Sequence, residues 1–523
     1  MAEKSFAGLL KGRFMNEAVN IYLVLMFTVF PLVFTNGYFR IRHDKYYTYV
    51  VLSAAPAIAA LFTVVYGLLN RDRLHELNKK PLNITDISFI GLVLVYIFST
   101  CVSDYPLSCI SGEIGRNMGL IFIITSFIVY IIISRFLSLR EYVFYFAAGG
   151  CAVVYILCVL NFFYVDPLRM FVNLDSETIM DFTSTIGNKN IMSAFCCLSL
   201  PLFFTLYIVS EKRALRNVSL VMCGLGFSAM VCADSDSGFM GLALALAAVL
   251  IYCGFRAFRL RRFFTAAAVM LICAKVIGLL SAVIKYKDLG AVEKFFVFDN
   301  ISYLLIGASV LIVLIMLIIE KRYNVDKLPK AVSGALAAVV IISFGIVIWL
   351  FIKYSVIDTQ TKLGTVMSYF RFDEGWGTHR GFFWIKAVEI FKNSGLKNML
   401  FGSGPDTFYY AFSPYFNELS TRFGDSSTNC AHNELLNYLI TVGITGVVMY
   451  LLLVVSAVIK ALKGLKNNAL GLVFVIPVLC YFFQSTVNIA TPIVTPIMFI
   501  YLGILRALDG GGEEAVKIFH THR

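Results

Sequence analysis

The chain has 523 residues, of which 59% are hydrophobic and only 15% charged, against roughly half and a quarter in a soluble domain. With a mean hydropathy of +0.80, this composition excludes a water-soluble enzyme of several domains and a disordered or collagen-like chain. The formal net charge of +12 would suggest nucleic acid in a soluble protein; here the basic residues sit in short segments between apolar runs, where they report topology and no nucleic-acid partner.

A run of about 17–25 apolar residues is long enough to cross a bilayer. In chain order the predicted spans are Glu17 to Thr35, Tyr46 to Leu69, Ile84 to Ser103, Asn117 to Ser134, Tyr142 to Phe162, Ile191 to Val209, Asn217 to Ala233, Gly238 to Phe255, Phe263 to Ile284, Ile301 to Ile319, Ala331 to Ile352, Asn433 to Ile459, Ala469 to Asn488 and Ile493 to Leu505. The expected fold is an all-α polytopic membrane protein of about 14 transmembrane helices. Residues 1–352 carry the first eleven, 353–432 one long extracytoplasmic loop, and 433–523 the last three and a short tail. Ser5 to Met15 reads either as an amphipathic surface helix or as a frayed tail. The first span lacks a small-residue cleavage site and is expected to stay as an anchor.

Charge orients the array. With the N-terminus in the cytoplasm and strict alternation, cytoplasmic segments hold 26 Lys and Arg and outer segments 17, eight of them in the long loop. That is the positive-inside pattern, although Arg40, Arg42 and Lys45 in the first outer loop run against it. Both termini then lie in the cytoplasm.

Ten of the twelve cysteines lie in or beside spans, Cys196 and Cys197 among them, as small hydrophobes do. Cys109 and Cys430 fall outside, where a bridge between them is one option. No CxxC or HxxxH spacing occurs, so neither metal nor cofactor is expected. Lys275, mid-span, reads either as a phosphate-neutralising cation or as a structurally paired lysine. The scarcity of intramembrane acids argues against a proton-coupled carrier.

The long loop, Lys353 to Ala431, is rich in aromatics. Trp384, Ala387, Val388 and Phe391 predict an amphipathic surface helix flanked by Lys386, Lys392 and Lys397. The run Phe401 to Phe408 (FGSGPDTF) is a tight turn. Phe408, Tyr409, Tyr410, Phe412, Tyr415 and Phe416 suit either sugar faces or an interfacial belt. At the loop's end stand His432, Asn433 and Glu434, where a helix start favours phosphate and a histidine suits general-base work; His432 as a plain helix cap is the alternative.

In combination these motifs resemble the bacterial O-antigen ligase and O-antigen polymerase family. The resemblance rests on Arg380 before an aromatic helix, Gly402 with Gly404 and Phe408, His432 with Asn433 and Leu436, Gly443 with Gly446, and upstream Gly187, Asn188 and Asn190. It is strongest from about Met230 to Leu451. It implies a GT-C-like membrane glycosyltransferase moving a glycan from an undecaprenyl-diphosphate-linked oligosaccharide to a hydroxyl of a glycan or other acceptor, at the outer face of the cytoplasmic membrane, without metal or cofactor. Arg380 would stabilise the leaving diphosphate through its planar fork, His432 would act as base, and Glu434 would orient it. Gly402, Gly404 and Asn190 would help bind substrate. One departure is Asp236, which stands where the family has an arginine for the lipid diphosphate; Arg116, Arg371 and Arg422 are candidate substitutes. The alternatives are a peptidoglycan-type polymerase of the shape, elongation and division family, which would use a loop acid such as Asp373, Asp406 or Asp425, and a lipid-linked glycan flippase.

Overall fold

The structure, a computed structural model, describes residues 13–69, 80–113, 115–465 and 468–509. Most of the Ser5 to Met15 segment and the C-terminal tail lie outside these residues. The chain is an all-α polytopic membrane protein; among the described residues the only sheet pairs Phe182–Thr183 with Gly187–Asn188. Eleven helices among them are long and apolar enough to cross a membrane. Three shorter apolar helices, Leu120–Phe136, Leu470–Ser485 and Thr495–Leu508, occupy the other predicted positions.

The Lys189–Val209 helix is the central pillar. Its apolar stretch is buried throughout, against helices Arg213–Cys232, Asp236–Cys253 and Leu470–Ser485. Asn188 caps its start, accepting from the Asn190 N–H at 2.9 Å. In lipid, helices associate through close packing. Gly241 shows this: a Cβ there would lie 2.5 Å from the Cys480 carbonyl oxygen, so a larger residue would force two helices apart.

Thr495–Leu508 has 14 residues, a rise of about 21 Å against a hydrocarbon core of about 30 Å. It is compensated by burial, since nearly all of it lies inside protein. The preceding 486–494 segment is non-helical, yet its polar groups find internal partners: Asn488 donates to the Asn190 carbonyl at 2.9 Å and the Thr491 N–H to Thr495 at 3.1 Å. Buried irregular backbone survives only with such internal partners.

At the periphery, Ile301–Arg322 and Lys330–Ile352 expose nearly all their apolar surface. A helix apolar on every face and outside the core is stable only in lipid. Both are tied down at one end, where Arg261 holds Glu320 at 2.9 and 3.0 Å and the Ala257 N–H donates to the Asp326 carbonyl at 2.9 Å.

The ion pairs test the alternating topology. Arg135 and Arg506 meet Asp86, Arg140 meets Glu17, Lys212 meets Glu141 and Lys460 meets Asp509. Arg116 meets Asp406, and Lys189 meets Asp181 and Asp234. Each pair joins segments that strict alternation places on the same side.

Three local expectations resolve. The predicted run Asn433 to Ile459 is two helices, Glu434–Thr441 and Gly443–Gly464, broken at Gly443, whose φ is +70°. Lys275 is structural: its buried ammonium donates to the carbonyls of Val297 and Asp299 at 3.2 and 2.6 Å and lies 4.3 Å from the Tyr303 ring centre. Cys109 and Cys430 form no bridge, and both are free thiols.

Candidate functional site

The long loop folds onto the helical body rather than standing free. Its predicted amphipathic helix is present as Trp376–Asn393, and its regular part begins near Arg380 because Gly377, Thr378 and His379 have φ of +61°, +59° and +67°. Two consecutive non-glycine residues in that region are rare and mark strain. The strained turn is clamped. Phe382 N–H donates to the Glu374 carbonyl at 3.0 Å, and His379 pairs with Asp425 at 3.1 Å. The result projects Arg380 and Phe383, three residues apart and so on one face. Phe382, Phe383, Phe408, Phe412 and Leu419 form a second, separate apolar core beneath the loop.

The GSGP turn has a structural task. Gly402 and Gly404 have φ of +74° and +125°, and a Cβ at Gly402 would come within 2.2 Å of the Thr441 backbone. The Ser403 and Gly404 N–H groups donate to the carbonyls of Ile440 and Thr441 at 3.0 and 2.9 Å. The turn thus docks on the helix break at Gly443 and satisfies carbonyls that the break leaves open. These contacts assign both glycines to packing.

Docking the turn delivers Asp406. Its Oδ1 accepts from Arg116 Nε at 2.7 Å, and its Oδ2 accepts from the N–H groups of Glu113 and Met118, each at 3.0 Å. The two side chains are 4% and 1% exposed. Arg116 Nη2 reaches the Ala490 carbonyl at 3.4 Å, whereas Nη1 is buried without a partner. Burial opposes the charge on Arg116, but Asp406 outweighs it and raises the guanidinium pKa.

His432 completes the pocket. Its backbone is left-handed, φ +50°, and its ring stacks on Phe383 at 5.7 Å. The helix cap is Asn433, which accepts from the Leu436 N–H at 3.1 Å, so His432 is free of that task. Its Nδ1 is buried without a hydrogen-bond partner, although the ring lies beside the Cys430 thiol; the buried Glu434 carboxylate has the Ser485 and Tyr450 hydroxyls beside it. A single cavity is lined by Arg116, Asp406, Cys430, His432, Glu434 and Asn488, among others. His432 and Glu434 share it because the left-handed residue and the cap precede the helix, so helical spacing does not separate them. Cys430 was not anticipated as a site residue. Burial pushes its thiol up, but His432 and Arg116 outweigh burial and bring it down to about 6.

Arg380 is half-buried and makes no hydrogen bond or ion pair with a described residue. Burial lowers its pKa, opposed by Cys430 and Asp236, which places it within electrostatic reach of the His432 pocket. Asn190 stands one step behind the cavity, joined through Asn488 and accepting from Ser235 at 2.8 Å. The structure does not bring Arg371 or Arg422 to the cavity. Arg371 donates to the Asp358 and Thr361 carbonyls at 3.1 and 2.7 Å, pinning the loop's start. Arg422 pairs with Glu374 and Glu418. Of the three substitutes for a missing cation, Arg116 alone lines the pocket.

Fold and site together define a polytopic membrane protein whose loops enclose a pocket lined by buried cationic and acidic groups. The sequence model of the O-antigen ligase family matches residues 295–451, from the peripheral helices through the long loop into the helix after the break. Over that stretch the chain is similar to the O-antigen ligase family. No curated protein matches the chain.

Proposed function

We propose that the protein transfers a glycan from an undecaprenyl-diphosphate carrier to an acceptor hydroxyl at the outer face of the cytoplasmic membrane. One observation carries this reading. Arg116 Nη1 and His432 Nδ1 are buried without hydrogen-bond partners around one cavity that Glu434 also lines, beside an unpaired Arg380. Buried polar groups are ordinarily satisfied, so such a set suits a ligand bearing both an anion and a hydroxyl.

Charge develops on the diphosphate as the glycosidic bond breaks. Arg116, held rigid by Asp406, and Arg380 would stabilise it; preorganised donors in a water-poor site are worth several kcal/mol. His432 takes the acceptor's proton, and the neighbouring Cys430 thiolate stabilises the imidazolium so formed. Glu434 orients the acceptor or shares the proton. Asp406, the one acid of the rival loop-carboxylate reading that lines the cavity, already accepts three hydrogen bonds and is not available as a nucleophile. The test is reconstitution in nanodiscs with an undecaprenyl-diphosphate-linked repeat unit. Wild type should release undecaprenyl diphosphate and elongate or transfer the glycan, and Arg380→Ala should do neither. Turnover by Arg380→Ala at the wild-type rate would refute the role.

A further inference from the structure

Asp236 has the opposite sign to the cation expected at its position, and it does not stand alone. Asp234, Asp236 and Glu293 gather where three segments meet on the same face as the His432 pocket. Glu293 is 1% exposed and neither of its carboxylate oxygens has a partner. Asp236 Oδ1 is also buried and unpartnered, while its Oδ2 accepts from the Tyr369 hydroxyl of the long loop at 2.8 Å. Asp234 Oδ1 accepts from the Gly290 N–H at 2.6 Å. A Cβ at Gly290 would lie 2.7 Å from Glu293 Oε2 and 3.3 Å from Asp234 Oδ1, so the two carboxylates converge over that glycine.

Compensating charge is short. Lys189 serves Asp234 at 3.5 Å and Asp181 at 3.2 Å, and Arg380 reaches Asp236 only at longer range. Among the described residues neither Asp236 nor Glu293 has a cation in ion-pair contact, and Lys189 and Arg380 act on them only at longer range. Burial and the two neighbouring acids hold the Glu293 carboxyl up at about 8. Among the described residues no three such side chains converge to hold a metal ion. An ammonium needs only two or three oxygen acceptors and no fixed polyhedron. A carboxyl held up at about 8 is largely protonated at pH 7; an ammonium beside it would favour the charged form and draw that proton off, which a neutral hydroxyl would not.

We propose that Asp236 and Glu293 form a subsite for an ammonium group on the glycan, an unacetylated amino sugar of the donor repeat or the acceptor, with Tyr369 at its edge. That the ammonium belongs to a glycan rests on the transfer reading; the cation site itself does not. The full-length protein in nanodiscs at pH 7 would be titrated with glucosamine, N-acetylglucosamine and magnesium ion, following the thermal unfolding midpoint. Wild type should be stabilised by glucosamine and not by N-acetylglucosamine, and the apparent affinity should fall at least tenfold in both Glu293→Gln and Asp236→Asn. An equal response to the two sugars, no response to glucosamine, or a response unchanged in both variants would overturn the proposal. So would magnesium competing with glucosamine, which would indicate a metal site. The wild-type comparison decides even if a variant fails to fold. Binding is read without turnover, so this proposal can fail while transfer activity stands.

Discussion

Asp406→Asn tests how the loop is joined to the body. The substitution keeps shape and, with its amide oxygen in the Oδ2 position, the acceptor for the Glu113 and Met118 N–H groups, but removes the charge facing Arg116, whose side chain is 4% exposed. Removing one partner of a buried ion pair costs about 3–5 kcal/mol, a large part of a typical stability of about 5–15 kcal/mol. The amide NH2 then faces Arg116 Nε, and leaving that buried donor unsatisfied adds about 1–3 kcal/mol. Thermal unfolding in nanodiscs should therefore drop by several degrees, with transfer lost as Arg116 swings from the cavity. Adding Arg116→Met removes the orphaned charge. The double variant should regain much of the stability, since apolar replacement of a buried pair is often neutral, yet stay inactive. A single variant as stable and active as wild type, or an active double variant, would refute the claim that Asp406 positions a substrate-binding Arg116.

Other expectations follow from the same contacts. His432→Ala should abolish transfer while the protein inserts normally; wild-type activity would remove His432 as base. Arg380→Lys should be severely impaired, because a lysine offers no planar fork to a diphosphate; full activity would show that charge alone suffices. Cys430 should ionise with a midpoint near 6 rather than about 8.5. Its lowered pKa means that its ionisation favours the folded state at high pH and that this gain is lost as pH falls through 6. Mass-spectrometric tracking of methanethiosulfonate modification across pH checks the midpoint, and a value near 8.5 would contradict the pairing with His432. Lys275→Met strands two carbonyls at about 1–3 kcal/mol each, so it should lower the unfolding midpoint without changing turnover per folded molecule.

The spans were legible because long apolar runs have few alternatives. The break inside Asn433 to Ile459 was not, since Val442 and Gly443 interrupt no apolar pattern; it is imposed by the Gly402 turn docking from a distant loop. His432 and Arg380 came from the pattern of the loop; His432 lines the cavity, and Arg380 is outside its lining but feels Cys430 in its wall. Arg116, Arg371 and Arg422 looked equivalent. Only tertiary contact separates them, because the partner of Arg116 lies 290 residues away. Cys430 and Glu293 left no signal in the sequence, as their character comes from neighbours rather than from spacing. Gly402 and Gly404, read as substrate-binding, are explained by backbone contact.

The central claim is glycan transfer from a lipid diphosphate. Its most direct test is a deletion strain carrying either the wild-type or the His432→Ala chain, with undecaprenyl-diphosphate-linked glycans profiled by mass spectrometry. The account expects the His432→Ala strain to accumulate carrier-linked glycan that wild type clears, single repeat units marking a polymerase and long chains a ligase. A carrier pool identical in the two strains under conditions of active synthesis would contradict it.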